Sequence, residues 1–282
     1  MLKILREALK ITNSNIILTI PLIIFVKVFD LYSAYSRYNL DSMPKLVIAS
    51  VTVLLMFAVF CPSWLYMIKG AVENSKKIFV LDSGETKASI NLFKTMPEGI
   101  GKFFLSFIGV YAIFAIIQIV LSPFVYVLGI KLIGSMDNVV LTNTQEMALS
   151  AASENNSMAV LIDNLTPEQI VFFAKWSLLF MVLTSVVMFL LMLWIPEILY
   201  KSPNPLKALF KSWGKLFKHP FETLRLFLVL WFIGLVILFF NTFSLVNPFA
   251  YLFMNVISFY FALFLTTSVF LYYNKRFCSD EQ

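Results

Sequence analysis

The stretch that decides the fold is residues 166–196, TPEQIVFFAKWSLLFMVLTSVVMFLLMLWIP. From Trp176 to Pro196 it carries no charged side chain, and its apolar residues do not alternate as a strand's would. A helix needs roughly 20 apolar residues to cross a hydrocarbon core of about 30 Å. In lipid a helix satisfies its own backbone amides, so this run predicts a transmembrane helix. Its punctuation agrees. Thr166-Pro167-Glu168-Gln169 reads as a capping box with proline at the first helical position. Trp176 and Trp194 lie 18 residues apart, about 27 Å at roughly 1.5 Å per residue, which suits two aromatic belts. Tyr272 and Tyr273, beside Lys275 and Arg276, read the same way at the end of the chain.

Across the whole chain six runs qualify as spans: about 16–36, 45–69, 103–128, 168–195, 222–243 and 248–273. Composition agrees: the chain is 60% hydrophobic and 13% charged, against about 45–50% and 25% for soluble domains. A water-soluble fold of this composition would expose far more apolar surface than soluble monomers do. The fold class expected is all-α, a polytopic membrane protein with a single membrane domain. The run from Ile16 begins late for a signal peptide and reads as a retained first span.

Orientation follows from the lysines. Lys3, Arg6 and Lys10 precede the first span, Lys69 to Lys102 fill the segment 69–102, Lys201 to Lys218 fill 200–221, and Lys275 and Arg276 end the chain. The segment 134–167 holds Asp137, Glu146, Glu154 and Asp163 with no Lys or Arg. Six crossings put the basic segments on one side and the acidic loop on the other, so both termini are expected in the cytoplasm. A net charge of +6 here points to anionic lipid, and no nucleic-acid module is present.

Two segments pattern as surface helices. In 205–218, Leu206, Leu209, Phe210, Trp213 and Phe217 share one helical face, and Lys207, Lys211, Lys215 and Lys218 recur opposite them. This is the pattern of a helix in the headgroup plane with a lipid-facing basic surface. Leu2, Leu5 and Leu9 against Lys3, Arg6 and Lys10 form a shorter example. The chain also reads as a parallel internal repeat. Pro62-x-x-Leu65-Tyr66 matches Pro196-x-x-Leu199-Tyr200, and Leu92 to Lys94, Glu98 and Phe103 match Leu216 to Lys218, Glu222 and Phe227. Chance agreement in Leu- and Phe-rich sequence is the alternative.

Ionisable groups at bilayer depth are the default functional candidates. Lys27 and Asp30, three residues apart, share a face of the first span. With Gln118, Lys175 and Asn255 they make up the candidate intramembrane polar site. Snorkelling is the alternative for Lys175, beside Trp176, and helix packing the alternative for the polar stripes Gln118–Ser122 and Asn255–Ser258–Thr266. Glu197, after Pro196, reads as an interfacial helix terminus or as part of an ion path. No phosphate loop, nucleophile elbow or zinc-ligand pattern occurs, and a lone His219 gives no catalytic constellation. No enzyme activity, metal or cofactor is therefore expected.

Of two functions, transport is the reading expected and a scaffold the alternative. The first is a transport-type protein moving lipid or a small solute past Lys27, Asp30 and Gln118. The second is a non-catalytic scaffold or assembly factor acting through its surface helices and acidic loop, with Lys27 turned outward. Membrane lipids are the expected partner, and homo-oligomerisation is open. Residue usage rich in Phe and Lys and poor in Arg suggests a bacterial inner membrane.

Overall fold

The computed structural model describes residues 1–39, 42–78, 91–135, 142, 145, 165–244 and 247–278. Every regular element among them is helical. In chain order they are α1 (Leu2–Ser14), a 3-10 turn (Ile16–Leu18), α2 (Thr19–Asn39), α3 (Met43–Ile78), α4 (Met96–Leu132) and α5 (Pro167–Leu191). Then come α6 (Trp194–Tyr200), α7 (Pro205–Lys218), α8 (Pro220–Ser244), α9 (Pro248–Tyr273) and a π-helical turn (Asn274–Cys278). Six helical stretches are long and apolar enough to cross a membrane, one for each run read from the sequence.

Local chemistry explains the boundaries. The Thr166 box forms: Gln169 N–H donates to Thr166 Oγ1 at 3.3 Å, and Thr166 N–H donates to Gln169 Oε1 at 2.9 Å. Asn204 Oδ1 accepts from Lys207 N at 3.0 Å with Pro205 opening α7, and Asn247 does the same for Phe249 ahead of α9. The fourth span is interrupted between α5 and α6, at Met192 and Leu193. Pro196 explains the break, because it has no N–H for the carbonyl of Met192 and its ring crowds that carbonyl.

α3 and α4 have 36 and 37 residues, about 54–56 Å at roughly 1.5 Å per residue, well beyond a core of about 30 Å. Both therefore run on into the segment 69–102, which the sequence presented as a connection. Its middle, 79–90, and most of the acidic loop 134–167 lie outside the described residues.

Two compact units result: Met1–Ile113 with Leu190–Gln282, and Phe114–Phe189. In unit one α1 lies along α9, burying Ala8, Ile11 and Thr12. Lys275 pairs with Glu7 there, and Tyr260 donates to Asn13. The Trp64 indole donates to the Leu18 carbonyl at 2.9 Å, holding the start of the first span against α3. α3 and α4 cross at Gly99, where a Cβ would come within 3.0 Å of the Pro62 carbonyl oxygen. Only a small residue permits that backbone approach.

In unit two, α4 and α5 meet at Gly129 and Trp176. The indole lies where a Cβ would stand, 2.1 Å from its Cη2. Trp176 is buried, so it is a packing residue and no member of an outer aromatic belt. Trp194, Tyr272 and Tyr273 in unit one depart from the belt expectation in the same way, each nearly or wholly buried. Their polar atoms find protein partners: Trp194 Nε1–H donates to the Pro205 carbonyl at 2.8 Å, and the Tyr272 hydroxyl bonds the Thr223 hydroxyl at 2.8 Å.

Candidate functional site

Described residues of the four basic segments come together at one end of unit one, through Glu7–Lys275, Lys69–Leu199, Lys215–Tyr273 and Arg276–Glu222. There, cations and aromatic rings alternate across five helices. At the opening of α4, Glu98 accepts from Lys102 at 2.5 Å and from the Tyr66 hydroxyl at 3.0 Å. Lys69 on α3 sits 5.5 Å from the Tyr66 ring centroid and 4.9 Å from that of Tyr200. Its ammonium also donates to the Leu199 carbonyl at 2.9 Å, tying α3 to the end of α6. The Tyr200 ring stacks on Tyr273, centroids 5.4 Å apart. Lys215 on α7 closes the series, 4.6 Å from the Tyr273 centroid and 5.5 Å from that of Phe277.

The innermost member is Glu197, 1% exposed. Its Oε2 accepts from Lys215 at 2.5 Å and from the Tyr273 hydroxyl, and Lys215 also reaches that hydroxyl at 2.5 Å. A carboxylate this far from water needs both a counter-ion and hydrogen bonds, and α7 and α9 each supply one. Glu197 Oε1 and the Tyr200 hydroxyl are buried without a hydrogen-bond partner among the described residues. Glu197 is thus a buried carboxylate joined to α7 by Lys215 and to α9 by Tyr273. It is the ion that pins α7 to the bundle.

That pinning sorts α7 into three stripes. Ala208, Leu209, Ser212 and Leu216 are buried against the bundle, with Lys215 among them. Leu206, Phe210 and Phe217 are exposed, spaced four and seven residues apart on a second stripe. Lys207, Lys211 and Lys218 are exposed on a third, roughly 100° round the helix from the apolar stripe. The sequence had offered two faces with all four lysines on one. Lys215 departs from its group because eight residues separate it from Lys207, which is about 80° round the helix. α1 repeats the arrangement: Ala8 and Ile11 are buried, Leu2 and Leu9 are exposed, and so are Lys3, Arg6 and Lys10.

The candidate intramembrane site looks different. Lys27 and Asp30 do pair, at 3.6 Å, but their side chains are 63% and 57% exposed on the outside of α2. An apolar hollow of about 480 Å³ between α2, α3 and α4 is lined by Phe25, Met56, Phe60 and Ile100 among others, and by neither charged residue. Asn255 is half-buried on α9. The hydroxyls of its stripe are spent on their own helix, Ser258 on the Met254 carbonyl and Thr266 on the Ala262 carbonyl. In unit two Gln118 is half-buried and Ser122 donates to its carbonyl at 2.8 Å. Lys175, also in unit two, is exposed at the edge of a hollow formed by Ile133, Glu168, Val171 and Phe172.

The residues joined by the repeat make different contacts. Tyr66 hydrogen-bonds Glu98, whereas Tyr200 stacks on Tyr273 and Glu222 faces Arg276 at 3.3 Å. Compared with protein-family models, curated proteins and solved structures, the chain matches none.

Proposed function

We propose that the chain is a membrane scaffold that works on the cytoplasmic leaflet through α7 and α1. The observation that carries this reading is the pairing of the second and third stripes of α7. A helix fixed to the bundle by Lys215 and Trp194 still presents bulky apolar side chains and lysines outward, side by side. Phe210 and Phe217 suit the acyl boundary, and Lys207, Lys211 and Lys218 suit anionic head groups. The excess of lysine at this end supports a cytoplasmic placement, with N- and C-terminus inside, by the positive-inside rule. Transport past Lys27, the other reading of the sequence, loses support from the outward placement of the Lys27–Asp30 pair.

Native mass spectrometry of the full chain released from detergent separates the two. Anionic phospholipids are expected to accompany the protein, in reduced number for Lys207→Gln/Lys211→Gln/Lys218→Gln and unchanged number for Lys27→Ala. A second copy or a protein partner at fixed stoichiometry, kept in Lys27→Ala, supports the same reading. A ligand lost on Lys27→Ala and kept in the triple variant would return the function to transport.

A further inference from the structure

We infer that unit one also carries a discrete site for a phosphate group, held by Arg225, Lys275 and Arg276. These three line a hollow of about 400 Å³ at the end where α1, α8 and α9 meet, with Met1 and Ile4 as its apolar lip. None of the α7 lysines lines it, so the inference stands apart from the scaffold reading.

The charges of the wall are not balanced. Lys275 has Glu7 against it. The Arg276 Nη2 lies 3.3 Å from Glu222 Oε1 and 3.1 Å from His219 Nδ1. Arg225 makes no ion pair or hydrogen bond among the described residues. Among the described residues one guanidinium is thus uncommitted, on a wall where two further cations stand against two carboxylates. Its planar fork matches two oxygens of a phosphate. A phosphate has further oxygens to share with Lys275, which a carboxylate ligand lacks. The apolar lip of Met1 and Ile4 suits a glycerol or acyl chain beside the charged group. The phosphate of an anionic phospholipid and free phosphate offer the same chemistry.

Full-length protein in a non-ionic detergent is titrated with inorganic phosphate and, separately, with short-chain phosphatidylglycerol, and binding is followed by native mass spectrometry and thermal shift. One saturable site is expected. Saturation by both probes marks a site open to free phosphate, and saturation by the lipid alone marks a headgroup site. Arg225→Gln should weaken binding about tenfold or more, as the loss of a charge-assisted pair does. Arg225→Lys, which keeps the charge without the fork, should fall between. Lys207→Gln/Lys211→Gln/Lys218→Gln should bind as the unaltered chain does. Saturation by neither probe overturns the inference. So does affinity unchanged in Arg225→Gln, or loss in the triple-lysine variant alone.

Discussion

Lys215→Met is expected to destabilise the protein by about 3 kcal/mol, and Glu197→Gln combined with it to restore much of the loss. The single change leaves a carboxylate at 1% exposure with no cation against it, so the cost is that of a buried unpaired charge. Lys215 is itself 23% exposed, which places the figure at the lower end of the range for broken buried pairs. In the double variant no ion remains, and the Tyr273 hydroxyl can still bond the amide. Thermal unfolding in detergent measures both. Equal loss in the single and double variants would mean that Lys215 stabilises α7 through its packing on Tyr273 and Phe277 alone, and the pinning ion would be an idle pair.

Gly129→Ala should be nearly as costly, about 2–3 kcal/mol, the upper part of the range for overpacked cores. The new methyl group would stand 2.1 Å from Cη2 and 2.2 Å from Cζ3 of Trp176. A buried six-membered ring cannot move aside without leaving its seat, where it also packs near Tyr126 at 6.3 Å between centroids. Trp176→Leu in the same background removes the clashing ring and should recover part of the stability. An unaltered unfolding temperature in Gly129→Ala would show that α4 and α5 do not touch there in the membrane.

The spans were legible because bilayer physics leaves few alternatives. Long uncharged runs in lipid are helices, and Thr166-Pro167-Glu168-Gln169 starts a helix where its capping chemistry says. Helix ends past Lys69 and before Lys102 were not legible, because hydropathy reports where the lipid stops and helical hydrogen bonding continues beyond it. The aromatic belt misled for a related reason. Tyr and Trp near span ends suit an interface and a core equally well, and Trp194 and Tyr272 found buried carbonyl and hydroxyl partners. The central ion pair is not legible, although two signals for it are present. Glu197 follows a helix-breaking proline, and Lys215 is out of register with Lys207, Lys211 and Lys218. Nothing short of the fold brings residues 18 positions apart in sequence to one point together with Tyr273. Lys27 and Asp30 share a face by their three-residue spacing, and they pair there. Their direction was not readable, because a span with apolar residues all round shows no preferred inward face.

The account rests most directly on α7 lying in the headgroup plane, and depth measured by spin-label collision tests that claim. Single nitroxides are placed at Phe210, Lys211, Phe217 and Lys218 in full-length protein carrying Cys61→Ser and Cys278→Ser, reconstituted in anionic vesicles. The account predicts that labels at 210 and 217 collide mainly with oxygen dissolved in the lipid, while those at 211 and 218 collide mainly with a water-soluble nickel chelate. Equal access of the chelate to all four labels would contradict it, leaving α7 as a helix in water and the basic end without its membrane ligand.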